Sequence, residues 1–292
     1  MPLGVDALSG TVTVPAATSP LFLFGLSCWD SVITLADGAD GFADPAALKP
    51  VLVVAPGGAP VWLSGFNLRT GTRYGAPQPP PVPAGFANPN PGAMALLWLS
   101  AGGGAQDVFF HPASWPDNAR LGAGANTELS LVVADGGGGV FADIWSCNSY
   151  AMGGARVRDT AARVEFTQLS SEHHAGHELW VSNATDVAVH AMQTEDRSPD
   201  AAPTCSLLAE AASAVDLTGL FSYYAANVSS AASVRVSGDS RVSVAVYRQY
   251  HSYHPMYYNC SILADGGREV CVTATDFALA VVALAPPATA PA

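Results

Sequence analysis

The sequence predicts an all-β protein of one or two antiparallel β-sandwiches, jelly-roll-like in topology, with at most one or two short helices. Three observations predict it. Segments such as Leu129–Val133 (LSLVV) and Val242–Tyr247 (VSVAVY) alternate apolar with polar or small residues at a period of two, the mark of a half-buried strand. Gly-rich and Asp-Gly turns punctuate these runs, as in Asp135-Gly-Gly-Gly-Gly139 and Gly238-Asp239, and such residues accept the positive φ of tight connections. Strands followed regularly by long helices, which would signal a parallel α/β sheet, do not occur.

From the N-terminus, Thr11–Val14 (TVTV) is the first alternating strand. Asp37-Gly-Ala-Asp-Gly-Phe-Ala-Asp44 gathers three carboxylates but fails the EF-hand pattern, because with Gly41 as the central glycine the acidic offsets are wrong and position 47 is Ala. Asp44–Leu48, with Pro45 at its first position, is a single helical turn. Residues 75–92 (GAPQPPPVPAGFANPNPG) hold too many prolines to pair in a sheet and form a loop. Phe86 in this loop is an interface candidate, since the segment either skirts a sheet edge or lies as a contact arm on a neighbouring subunit.

The Gly- and Arg-bearing stretch 151–162 (AMGGARVRDTAA) divides the strands into an N-terminal sandwich domain, 1–150, and a C-terminal one, 151–285, with one large β domain as the alternative. Each half contains a similar unit, LSLVVADGGGGVFADIW and VRVSGDSRVSVAVYRQY, which reads as a hairpin leading into an aromatic strand end. The best helix lies over 204–220, where Leu207, Leu208, Ala211, Ala212 and Val215 form a stripe. Ser233–Ser237 and Glu269–Thr273 are further strands. A two-residue turn at Asp265-Gly266 would set Leu263 opposite Arg268 and Cys260 opposite Cys271, within disulfide reach. Residues 286–292 are an unstructured tail.

Composition narrows function. The 292 residues are 49% hydrophobic and 12% charged, with mean hydropathy +0.24 and net charge −12. A chain this apolar buries a core and is not disordered. Lys49 is the single lysine, so no basic surface exists to bind nucleic acid. The longest apolar runs, 20–26 and 277–285, are too short for a membrane-spanning helix. No secretory signal is visible at the N-terminus. A compact monomer of this mass exposes roughly 11,700 Å², so each ionised group would serve roughly 320 Å², about twice the usual area. Such a surface is expected to be covered by neighbouring subunits.

Chemistry-bearing clusters are few. Six of the seven histidines fall between 173 and 254. In Ser171-Glu-His-His-Ala-Gly-His-Glu178, His173 and His177 have the four-residue spacing of zinc ligands, but Gly176 and the two serines read as a loop entering a strand. They are at most weak metal candidates; polar loop residues are the better description, and no cofactor is expected. Residues 247–258 (YRQYHSYHPMYY) carry five tyrosines, of which Tyr250, Tyr253 and Tyr257 are interface candidates. Asn183, Asn227 and Asn259 open glycosylation sequons. No Gly-x-Ser-x-Gly, Walker loop or His-Glu-x-x-His is present, although a triad can assemble from distant residues.

The expectation is a non-enzymatic structural subunit of a virion capsid, surface layer or fibre, partnered by copies of itself or other structural subunits. It would be made in the cytoplasm and placed on a virion or extracellular surface. The alternatives are a surface carbohydrate-binding module and a metal-dependent enzyme.

Overall fold

The computed structural model describes residues 4–71, 89–111, 129–147, 152–172, 174, 176–196, 205–224, 234–251, 262–264, 269–270 and 282–284. Its first strands are β1 (Gly4–Leu8), β2 (Val12–Val14), β3 (Leu21–Phe24), β4 (Ser31–Leu35), β5 (Lys49–Val54), β6 (Val61–Arg69) and β7 (Ala93–Trp98). The central ones are β8 (Gly103–His111), β9 (Leu129–Ala134), β10 (Gly139–Cys147), β11 (Gly153–Thr160), β12 (Val164–Glu172), β13 (His177–Ala184) and β14 (Val187–Asp196). The last are β15 (Cys205–Glu210), β16 (Ala214–Tyr224), β17 (Val234–Val236), β18 (Arg241–His251), β19 (Ile262–Ala264), β20 (Glu269–Val270) and β21 (Val282–Leu284).

These strands form two sheets, and the chain crosses from one to the other at nearly every turn. Sheet A runs β1-β4-β6-β8-β10-β12-β14-β16-β18-β21, with β3 also on β6, and sheet B runs β2-β5-β7-β9-β11-β13-β15-β17-β19-β20. Among the described strands every pairing is parallel except β18–β21 and β19–β20, the last along each sheet. The architecture is therefore a two-sheet parallel solenoid, and the antiparallel sandwich or jelly roll expected from the sequence is overturned. Alternation at period two reports which face a residue occupies and carries no information about strand direction. Direction comes from the connections, and here each turn hands the chain to the opposite sheet. Thus β9 pairs with β7 and β11, while β10, the next strand along, pairs with β8 and β12. The two units read as hairpins are such crossings, β9 to β10 and β17 to β18. Both sheets continue from β9 and β10 to β11 and β12, and β11 itself lies within the stretch 151–162 where the sequence changes composition.

Stacking in register builds the core. Leu63, Ala105, Phe141, Phe166, Val189, Leu217 and Val244 lie directly above one another in sheet A. Leu131, Ala155, Leu179, Leu207 and Val234 form a column in sheet B. All are buried in one cluster, and a buried aliphatic or aromatic side chain contributes roughly 1.5–3 kcal/mol. Trp98 packs edge-on to Phe141, and its indole N–H donates to the carbonyls of Ser100 and Gly138.

Two columns of left-handed residues bend each coil. Gly65, Asp107, Asp143, Gln168, Ala191, Gly219 and Val246 occupy the same place midway along successive sheet A strands, all at positive φ. Asp135, Asp159, Asn183, Ala211 and Gly238 mark the turns from sheet B back to sheet A. Asp, Asn and Gly tolerate that conformation best, which is why Asp-Gly was readable as turn chemistry. The same turn explains the failed helix at 204–220: Ala211 and Ala212 both have positive φ, so the segment is β15, a sharp turn and β16.

The acidic segment 37–44 is a docked loop. Ala39 and Phe42 bury against Leu35, Val51 and Ala93, while the Asn90 side chain accepts from Ala39 N and donates to the carbonyls of Ala36 and Thr70. Residues 44–48 form a turn in which Asp44 accepts from the amides of Ala46 and Ala47, not a helix. At β19–β20 the pairing is antiparallel as expected, but Leu263 faces Glu269, one residue beyond the register derived from a two-residue turn.

Candidate functional site

One interior corner of the solenoid is polar. On sheet A, Ser146, Ser171, Thr194 and Ser222 stack in register on β10, β12, β14 and β16. All four point inward and are buried. Facing them on β9, β11, β13 and β15 are Ser130, Gly154, Glu178 and Ser206, each lying between residues that pair across the sheet. Ser146 donates to Ser130 at 2.8 Å, and Thr194, Ser206 and Ser222 share a hydroxyl cluster with contacts of 2.8–3.4 Å.

Gly154 is the break in this facing column, and His174 fills the space. A Cβ at Gly154 would overlap Ser171 Oγ and lie 2.8 Å from His174 Cε1 and 2.9 Å from the Glu178 carbonyl oxygen. The imidazole enters from the connection between β12 and β13 and is fully buried. Its Nε2 lies 2.9 Å from Ser146 Oγ, and its Nδ1 is hydrogen-bonded to the Glu178 carboxylate. Glu178 also accepts from Ser171 Oγ at 2.9 Å and from the His174 amide at 3.3 Å. Removing either ring or carboxylate would leave the other buried without its main partner, which costs several kcal/mol.

Serine, histidine and carboxylate are thus connected in the order of a hydrolytic triad, inside the closed core. Ser146 is 1% and His174 0% exposed, so no substrate carbonyl reaches the hydroxyl. Ser146 also reaches Ser130 on the facing strand, so the hydroxyl is held between Ser130 and Nε2. The arrangement locks the two sheets together.

Two titratable groups flank the corner with opposite shifts. Burial pushes the Glu172 carboxyl up to about 7, helped by the nearby charges of Glu195 and Glu178, and its Oε1 accepts from Gln193 at 3.0 Å. Burial drops His177 to about 4, with the Arg235 charge adding to the effect; its Nδ1 lies 3.2 Å from Cys205 Sγ. For Glu172 the folded value is raised, so its stabilising contribution is full below about pH 4.5 and is lost as pH rises through about 7. For His177 the folded value is lowered, so its contribution is present above about pH 6.5 and is lost as pH falls towards 4. The two slopes oppose each other between about pH 4.5 and 6.5, and the wild-type stability is expected to be nearly flat there. Glu172→Gln should then give stability that rises with pH across this window, by up to about 3 kcal/mol, and His177→Gln stability that falls. Urea midpoints measured at half-unit pH steps check this, and parallel profiles for all three proteins would contradict it.

Of the site residues proposed from sequence, His177 is described and sits on β13 beside Cys205. His173, Phe86, Tyr253, Tyr257, Cys260 and Cys271 lie outside the described residues, as does the side chain of Tyr250, whose backbone pairs with Tyr223. Among the described residues no three His, Cys, Asp or Glu side chains converge as metal ligands, and no helix is long and apolar enough to cross a membrane. Sequence reasoning passed over His174. The signal available was the four-residue spacing of His174 and Glu178 with serines at 170 and 171; the missing part was Gly154, whose relation to them exists only in the stacked coil. Comparison with protein-family models and with curated protein sequences returns no match.

Proposed function

We propose that the chain is a structural subunit of a larger assembly, a surface-layer, fibre or virion component that acts by packing against copies of itself or other structural subunits. The observation that carries this reading is an exposed apolar strip at the N-terminal end of sheet A. Phe22, Phe24, Leu26 and Trp29 are 53–65% exposed there. The outward positions on the next strands in register, Trp62 and Ser64, Gly104 and Gln106, Val140 and Ala142, carry no ionised group. Along these rows the first charged position is Glu165, and the strip is bordered by Asp30, by Asp107, which accepts from the Cys28 amide, and by Asp143, which accepts from Gln106. Large exposed apolar patches mark interaction surfaces, and the low overall charge of the chain points the same way. A parallel solenoid supplies the rigid body such a role needs, since ten strands at about 4.8 Å spacing make a rod roughly 45 Å long. Placement on a virion or extracellular surface after synthesis in the cytoplasm belongs to the same proposal.

Light scattering coupled to size exclusion tests it. The full chain should elute as an oligomer whose mass grows with concentration between about 1 and 100 μM, a range in which standard-sized interfaces commonly saturate. A monomer at every concentration would overturn the reading.

A further inference from the structure

We infer that the open edge of β3 pairs antiparallel with β3 of a second copy across a two-fold axis, joining two solenoids through sheet A. This rests on the assembly reading above and names its contact.

The two ends of the solenoid differ. At the C-terminal end the last described strand of each sheet is antiparallel, β21 on β18 and β20 on β19. At the N-terminal end β1 covers β4, but β3 pairs with β6 alone among the described strands. Among the described residues one strand position is therefore open above residues 21–24, and its backbone donors and acceptors are a template for another strand. The features that usually blunt an edge are missing over this span, which reads Leu-Phe-Leu-Phe with no charge, proline or bulge. Sheet A already accepts an antiparallel terminal strand at its other end, so the missing occupant is an extended segment of about four residues.

Three features select a second copy as that occupant. The segment is self-complementary: a two-fold axis through Leu23 sets Phe22 opposite Phe24 of the other copy and Phe24 opposite its Phe22, so that aromatic meets aromatic on the outer face. The Phe22 and Phe24 rings of one chain already lie parallel, with centroids 6.0 Å apart, and a second pair extends this array. Net charge also favours this face. With a charge of −12, two copies repel, and they approach at least cost along strands that carry no charge of their own, as residues 21–24 do.

Two variants of the full chain test the inference. Phe22→Lys/Phe24→Lys places charge on the edge without disturbing the core, because both side chains are more than half exposed. It should weaken self-association at least 100-fold by light scattering while leaving the circular dichroism spectrum and urea midpoint unchanged. Phe22→Cys/Phe24→Cys, mildly oxidised, should give a covalent dimer whose peptide map links residue 22 of one copy to residue 24 of the other. A wild-type oligomer that resists the lysine substitutions and forms no 22-to-24 link overturns the β3 contact and leaves the assembly reading standing. A wild-type monomer under all conditions overturns both.

Discussion

Gly154→Ala is expected to destabilise the fold by about 3 kcal/mol or more, an unusually large effect for adding one methyl group. The new Cβ would have to share space with Ser171 Oγ, His174 Cε1 and the Glu178 carbonyl oxygen. Side chains could yield, but the carbonyl belongs to a sheet B strand, and moving the imidazole breaks its bonds to Ser146 and Glu178. The neighbouring Gly153→Ala is the internal control. Its Cβ would meet the His177 carbonyl and a Leu129 methyl at 3.1 Å, a crowding that small shifts relieve, so the expected cost is under about 1 kcal/mol. Urea midpoints at unchanged slope would measure both. Equal costs at the two positions would show that the packing around His174 is looser than described.

His174→Ala and Glu178→Ala are each expected to cost about 3–5 kcal/mol, because each leaves a buried polar or charged partner unanswered. The double variant should cost clearly less than the sum of the two, with a coupling of about 2–3 kcal/mol. Additive losses would mean that ring and carboxylate act independently. Coupling to Gly154 is expected too: with the imidazole gone, the methyl of Gly154→Ala occupies part of the vacated space, so the double variant should be less damaged than the sum predicts.

The strands and turns of this protein were legible in its sequence, and the way they are joined was not. Leu129–Val133 and Val242–Tyr247 read as strands because their inward residues fill one continuous core. Asp135-Gly136 read as a turn because left-handed φ suits those residues. The step from turn to hairpin failed, since a tight turn joins strands of one sheet or of two equally well, and period two is blind to the difference. The helix at 204–220 failed for a related reason: Ala211 and Ala212 continue an apolar stripe while their backbone reverses it. The likeness between 129–145 and 234–250 was a true structural echo, with both being crossings from sheet B to sheet A. His174 stayed hidden because its partners come from four different strands and its pocket is defined by a side chain that Gly154 lacks.

The assembly proposal is tested most directly by sedimentation velocity of the wild-type chain across a salt series. Twelve net negative charges per copy oppose association at low ionic strength, and screening weakens that repulsion while leaving apolar contacts intact. The weight-average mass should therefore rise between about 0.05 and 0.5 M salt, where the screening length falls from roughly 14 to 4 Å. A mass that stays at 29.9 kDa throughout would contradict a subunit role.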